Sequence, residues 1–200
     1  MKTPYAFHAV PDLEDPPAFV VARHGPLPEA WKANIRAAYG DLAPLRVGVP
    51  ASALSDAQQH PGDAAAASGS VGTEAGHQAA ANLVLDAVVA AAKAMPRWEL
   101  VLTQRGTTTS SDLLVEAVAT TRLMRFRDDI IIRVRAEATG RQEAVAGGSG
   151  MEAGAQMIVR VDVRSKSRLG KGDLGANAAR IRAFLGKLRA ELVAAELKPL

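Results

Sequence analysis

The amino-acid sequence predicts an α+β fold in which an antiparallel β-meander of about four strands carries two helices on one face. Between residues 98 and 164, apolar and polar residues alternate with a period of two, which is typical of a half-buried strand. Residues 77–95 and 174–192 instead show the apolar spacing of helices. Because a meander packed on one side leaves its polar face outside, we expect one open sheet face. A short N-terminal helical attachment completes the prediction.

The four strands are predicted over residues 98–104, 113–124, 129–136 and 157–164. The third is the clearest, since Ile130, Ile132 and Val134 point to one side while Arg133 and Arg135 point to the other. Turns are expected over Gly106–Asp112, which is rich in threonine and serine, and over Gly140–Ala155, which reads as a flexible surface insertion.

Two long helices frame these strands. The alanine-rich segment from about His77 to Met95 is closed by Pro96 and is apolar on most sides, so we expect it to be buried. The last helix begins near Leu174. Its apolar stripe, which should lie against the meander, consists of Ile181, Phe184, Leu185, Leu188 and Leu192.

The chain divides into three regions by composition. Residues 1–50 form a proline-rich arm followed by a short helix from Pro28 to about Tyr39. Residues 51–76 are rich in alanine, glycine and serine and predict a mobile linker. Residues 77–200 form the main α+β domain.

Composition excludes several kinds of chemistry. The chain has no cysteine, and its four histidines are far apart, so no metal site and no cofactor are expected. The most apolar segment, Ala79–Met95, is shorter than the roughly 20 residues that cross a bilayer, so no transmembrane segment is predicted. The first 30 residues lack the apolar run of a signal peptide, which favours a cytoplasmic location.

Positive charge is concentrated in the second half of the chain. The net charge is +3, yet residues 101–200 carry 17 basic and 11 acidic side chains. Nine of the basic side chains fall between Ile158 and Arg189. Such a concentration can attract an anionic partner, although basic side chains also commonly coat solvated faces.

The final strand, turn and helix carry a distinctive set of residues: Asp162, Arg164, Ser165, Ser167, Arg168, Gly170, Asp173, Leu174, Gly175, Asn177, Arg180 and Ile181. With this set, and with upstream matches from Trp98 to Val134, the chain resembles the bacterial and plastid family called domain of unknown function 1499. The resemblance spans about residues 78–192, and no part of the pattern is recognised in residues 1–76. It implies no known activity, and it adds a plastid as a second possible location.

The turn Ser165–Gly172 is the principal candidate site. Arg164, Lys166, Arg168 and Lys171 surround it, and the start of the following helix offers unpaired backbone N–H groups that could bind a phosphate or carboxylate. The alternative is structural: Gly170 and Gly172 would permit positive φ, and Asp173 would cap the helix.

Other polar residues of the motif are expected to be structural. Asp128 and Asp129 precede a strand, where adjacent residues point to opposite faces, so they are not expected to act as a paired acid and base. A turn role is favoured, in which one of the two caps backbone N–H groups. Asp162, Arg133 and Arg164 are expected to pair across the open face.

Asn177 is expected to bond to the nearby turn. Ser165 and Ser167 are the hydroxyls that could serve as nucleophiles. A hydrolase would need His77 as the base, because no histidine lies in the motif.

Three functions are compatible with these observations. The first is a noncatalytic binding or accessory module that meets an anionic ligand, a lipid head group or an acidic protein surface. Nucleic acid is not expected as a partner, because the whole chain has only eight aromatic residues and none interleaves with the basic run as a stacking platform. The second is an enzyme of unknown reaction with polar residues at the strand ends, and the third is a carrier of a small apolar ligand.

Overall fold

The computed structural model describes residues 8–57, 74–106, 112–137, 156–169 and 174–200. Its helices are α1 (Glu29–Ala38), α2 (Ala51–Ala57), α3 (Glu74–Lys93) and α4 (Ala176–Ala194). Its strands are β1 (His8–Ala9), β2 (Leu45–Pro50), β3 (Trp98–Gln104), β4 (Leu113–Thr120), β5 (Arg127–Glu137), β6 (Gln156–Ser167) and β7 (Lys198–Pro199). The predicted insertion over 140–155 and most of the turn over 106–112 lie outside the described residues.

All seven strands belong to one antiparallel sheet with the order β3-β4-β5-β6-β2-β7. Strand β1 pairs with β6 where Ala9 lies opposite Ser165, next to the stretch of β6 that β2 occupies. The α+β class is confirmed. The predicted four strands and two helices are too few, because β2 is short and its pairing with β6 has no signature in the local sequence.

The predicted linker over 51–76 is wrong at both ends. Residues 51–57 form α2, whose Leu54 is only 3% exposed, and residues 74–76 belong to α3. Residues 58–73 lie outside the part of the chain that the structure describes. Because β2 lies within the sheet, the sheet also extends beyond the main domain predicted from residue 77.

The second predicted strand is too long at its end. Strand β4 stops at Thr120, and residues 121–126 form a turn in which Thr121 and Phe126 exchange two hydrogen bonds. The Thr121 N–H donates to the Phe126 carbonyl at 2.9 Å, and the Phe126 N–H donates to Thr121 Oγ1 at 2.8 Å.

One face of the sheet, here called the helix face, packs against α3 and α4. All five residues of the predicted apolar stripe on α4 are buried. Phe184 stacks on Trp98 of β3 with ring centroids 5.5 Å apart, which joins the last helix to an edge of the sheet. The small residues of α3 let that helix approach the strands closely: Ala80, Ala81, Ala87, Ala91 and Ala92 are each less than 9% exposed.

The opposite face is covered as well, so the predicted open face is wrong. Residues 10–26, here called the arm, lie across it and define the arm face. Polar residues predicted to be solvated there are buried: Arg133 is 6% exposed, Asp162 0% and Arg164 1%. The arm is proline-rich and cannot form a strand of its own here, so its backbone groups bond to these side chains instead.

Candidate functional site

Two polar clusters lie where β5 begins beside the end of β6. Asp128 pairs with Ser167 across the strands, and Asp129 pairs with Lys166. Because successive side chains in a strand point to opposite faces, the first pair lies on the helix face and the second on the arm face. The same alternation places Ser165 on the helix face and the three candidate cations, Arg164, Lys166 and Arg168, on the arm face.

The helix-face cluster joins α4 to the sheet. The Ser165 hydroxyl donates to Asn177 Oδ1 at 2.6 Å, and Asn177 Nδ2 donates to the Ser167 hydroxyl at 3.0 Å. Arg180 donates to Ser165 and to Asn177, and its other terminal nitrogen forms an ion pair with Asp128. Asp128 is 2% exposed, so it serves in a buried ion pair and not in the predicted turn cap.

These contacts account for the hydroxyls of the motif. Both serines are hydrogen-bonded to Asn177, the residue that the sequence predicts to bond to this turn. His77 belongs to α3 and has no contact with either serine among the bonds of the described residues. The geometry therefore gives no support to a serine hydrolase.

On the arm face, Asp129 is the centre of the second cluster. It is 1% exposed and accepts hydrogen bonds from Arg168 Nε at 2.9 Å and Arg168 Nη2 at 2.7 Å. His24 of the arm contributes Nε2 at 2.7 Å. Burial raises the pKa of Asp129, but the hydrogen bonds from Arg168 and His24 outweigh it and hold the pKa below its usual value. Asp129 is thus an ion-paired carboxylate, not the predicted turn cap.

His24 links Asp129 to Lys166. Its Nδ1 lies 2.8 Å from Lys166 Nζ. Because a lysine ammonium can only donate, Nδ1 is the acceptor and the ring proton resides on Nε2, facing Asp129. Burial lowers the pKa of Lys166, and the charge of Arg164 lowers it further, while Asp129 opposes both. The result is a hydrogen-bonded chain from lysine through histidine to aspartate.

Arg164 is a buried cation held by backbone groups. Its terminal nitrogens donate to the carbonyls of Pro17 at 3.2 Å and Gly25 at 3.1 Å, and its guanidinium lies 5.0 Å from the centroid of the Phe19 ring. Its Nε has no hydrogen-bond partner, and no carboxylate of the described residues forms a salt bridge with it. Burial lowers the pKa of Arg164.

Glu116 of β4 fastens the middle of the arm. It is 1% exposed, and its carboxylate accepts backbone N–H groups from Val20 and Val21, both at 2.9 Å, and from Ala22 at 2.7 Å. Sequence reasoning noted Glu116 only as part of the family resemblance. The signal available was a charged residue in the middle of the apolar strand LLVEAVAT.

A third group of charges fastens the start of the arm. Asp162 is fully buried and accepts hydrogen bonds from Arg133 Nη2 at 3.0 Å and Arg160 Nε at 2.8 Å. Arg160 also pairs with Asp12, and Arg133 donates to the Asp15 carbonyl at 2.7 Å. The predicted pairing of Arg133 with Asp162 is present, beneath the arm instead of on an open face. The predicted ion pair of Arg164 is wrong, because its hydrogen bonds go to backbone carbonyls of the arm.

The structure thus brings Arg164, Lys166 and Arg168 together on the arm face. Lys171 and Asp173 lie outside the described residues. His24 is the residue that sequence reasoning missed, because its two partners are 105 and 142 positions away along the chain. Over the described ranges, no group of three or more His, Asp or Glu side chains could hold a metal ion. None of the helices seen there is long and apolar enough to cross a membrane.

Together these features define a class of α+β domain in which an antiparallel sheet has helices on one face and a docked N-terminal arm on the other. The family model described as Protein of unknown function (DUF1499) matches residues 9–188, and the chain belongs to this family. No curated protein and no solved structure matches the chain. The match begins far before residue 78, so the expectation that residues 1–76 lie outside the family pattern is wrong. Strands β1 and β2 extend the sheet and the arm packs on it, so these N-terminal residues are part of the same folded unit.

Proposed function

We propose that this protein is a noncatalytic binding module that takes an anionic group beside Arg164, Lys166 and Arg168, with Lys171 as a further candidate from the sequence. The observation that supports this most is Arg164. A guanidinium that is 1% exposed, with an unpartnered Nε and no carboxylate partner among the described residues, leaves buried positive charge uncompensated.

The surrounding charges leave an excess of one positive charge. Arg164, Lys166 and Arg168 face two carboxylates, Asp129 and Glu116, when His24 is neutral. The Glu116 carboxylate is already occupied by three backbone N–H groups. Lys166 is half-buried and the Arg168 side chain is 38% exposed, so both can reach a ligand from solvent. A phosphate or carboxylate bound there would offset the excess charge.

The test is the change in melting temperature on adding inorganic phosphate at constant ionic strength. We expect phosphate to raise the melting temperature of the wild type, and Lys166→Gln and Arg168→Gln to reduce that increase. Arg168→Gln also removes the pair with Asp129, so the phosphate-dependent increase is the quantity compared, not the melting temperature itself.

Lys187→Gln is the matched control, because Lys187 is an exposed lysine of α4 away from the cluster. It should keep the full response to phosphate. If phosphate has no effect on the wild type, or if Lys187→Gln removes the effect equally, the proposal is wrong.

A second function, an enzyme that uses Lys166 as an amine nucleophile, is favoured by the chain from Lys166 through His24 to Asp129. A nucleophile bonded to a base that is itself oriented by a third group is the arrangement of many covalent catalysts. Burial and the neighbouring Arg164 favour the neutral amine by lowering the pKa of Lys166. The amine would add to a carbonyl carbon, and His24 would take the proton from the attacking nitrogen and return it to the hydroxyl of the adduct, which leaves as water to give an imine.

Trace labelling with acetic anhydride tests this second function, because only neutral amines react. We expect Lys166 to react at lower pH than Lys187, and His24→Gln to shift the labelling of Lys166 but not of Lys187. If Lys166 follows the same pH profile as Lys187, it is not an activated amine and the enzyme proposal fails.

A further inference from the structure

The turn between β4 and β5 exposes apolar side chains at one end of the sheet. Leu123 is 88% exposed, Met124 64% and Phe126 44%. Leu169 follows β6 at the same end and is 68% exposed, next to Arg168, whose N–H donates to the Arg127 carbonyl at 3.2 Å. We call residues 121–127 together with Leu169 the sheet tip.

The sheet tip is also basic. Residues 121–127 contain Arg122, Arg125 and Arg127 and no acidic residue. Arg97 lies at the same end, since its carbonyl accepts the N–H of Thr120. In the described part of the chain, these arginines pair with one acidic side chain, the exposed Glu99, which lies 3.7 Å from Arg127.

The turn is held in a defined shape. Two hydrogen bonds join Thr121 to Phe126, and Arg125 adopts a φ of 52°, a left-handed conformation that favours glycine. Exposing the side chains of Leu123 and Met124 to water costs free energy, and burial against a partner surface would remove that cost.

We infer that the sheet tip docks on an anionic lipid bilayer. Leu123 and Met124 would enter the boundary between head groups and acyl chains, and Arg122 and Arg125 would meet lipid phosphates. A single turn with a few apolar side chains buries too little area for a stable contact with a rigid protein, which needs roughly 800 Å² on each partner. A bilayer instead deforms around a small tip, and its negative charge complements the arginines.

This inference goes beyond the proposed anion site and does not require it. Arg164 and Lys166 point to the arm face, whereas Leu123 and Met124 lie in the turn that ends the sheet. The two sites can therefore be tested with separate variants of the full chain.

The experiment is co-sedimentation of the full chain with phosphatidylcholine vesicles that contain or lack phosphatidylserine. We expect binding to the anionic vesicles only, and weaker binding as salt is raised. Leu123→Ser with Met124→Ser should abolish binding. Arg122→Gln and Arg125→Gln should each weaken it about fivefold, the factor that corresponds to one arginine near an anionic surface.

Val193→Ser is the matched control, because Val193 is an apolar side chain of α4 that is also 64% exposed. It should bind the vesicles as the wild type does. The inference is overturned if the wild type does not sediment with anionic vesicles or if Val193→Ser lowers binding as much as the tip variants. Leu123→Ser with Met124→Ser should keep the phosphate-dependent rise in melting temperature, so a failure of this inference is distinguishable from a failure of the anion site.

Discussion

At the scale of single residues, Asp128 and Asp129 show how strand geometry divides charge between two faces. Each is almost fully buried, and each is matched to its own arginine, Arg180 from α4 or Arg168 from the end of β6. A buried carboxylate is tolerated only when it is paired, so each arginine stabilises the buried aspartate that it contacts.

Arg180→Ala should destabilise the protein strongly. It leaves Asp128 buried without its cation and removes two further hydrogen bonds, to Ser165 and Asn177. Breaking a buried ion pair from one side costs about 3–5 kcal/mol in the free energy of unfolding. Urea denaturation measures the loss.

Arg182→Ala is the control on the same helix. Arg182 pairs with Asp41, but the two side chains are 45% and 59% exposed, so the loss should be much smaller than that of Arg180→Ala. Equal losses from the two variants would contradict the role assigned to burial.

Asp129 predicts an acid-dependent loss of stability. Its pKa is lower in the folded state than the usual 3.8, so its stabilisation is present above that value and is lost as the pH falls through the folded pKa. The difference in unfolding free energy between wild type and Asp129→Asn should therefore be smaller at about pH 3 than at about pH 5. A difference that stays constant or grows towards acid would show that the ion pair is not the cause.

At the scale of elements, the arm is held by side chains and not by strand pairing. Its backbone N–H groups at 20–22 bond to Glu116, and its carbonyls at Pro17 and Gly25 accept from Arg164. The sheet thus supplies one buried acceptor, Glu116, and two buried donors, Arg164 and Arg133, that complement the backbone of a segment without regular structure.

Glu116→Gln should loosen the arm while the sheet stays folded. The amide keeps one oxygen acceptor but directs an NH2 group at backbone donors, which costs about 1–3 kcal/mol locally. Hydrogen exchange should become faster at Val20, Val21 and Ala22. Glu99→Gln, at a glutamate whose side chain is 73% exposed, should leave these amides unchanged. Unchanged exchange in Glu116→Gln would refute the anchoring role.

At the scale of the whole molecule, the sheet is a middle layer between helices and arm. Apolar contacts dominate on the helix side, while charge pairs and backbone bonds dominate on the arm side. The two sides therefore respond to different kinds of substitution, and the helix side supplies most of the hydrophobic stabilisation.

Phe184→Ala should destabilise the whole fold by about 3–5 kcal/mol, the usual result of truncating a buried phenylalanine. Phe184 is fully buried and stacks on Trp98, so tryptophan fluorescence should change together with the unfolding transition seen by circular dichroism. Phe126→Ala, in the sheet tip, should change stability by less than about 0.5 kcal/mol. A small effect of Phe184→Ala would show that the core does not depend on this contact.

Local patterns determined α1, α3, α4 and the four long strands, because alternation and helical stripes are properties of neighbouring residues. A short helix was predicted from Pro28 to about Tyr39, and α1 lies there. Strand β2 was not predicted, because its position in the sheet is determined by pairing with β6, where Leu45 lies opposite Val161.

The features of the candidate site also divide into those determined by local sequence and those determined by tertiary contacts. The sequence by itself determined that Arg164, Lys166 and Arg168 lie close together, because they are near neighbours in one short segment. The turn predicted from Ser165 begins too early, since β6 continues to Ser167 and so places Arg164 and Lys166 on one face of the sheet. Only the tertiary structure decided that this face is covered, and that His24 joins Lys166 to Asp129. Those contacts bridge more than 100 residues, and a proline-rich arm carries no periodicity from which its docking could be predicted.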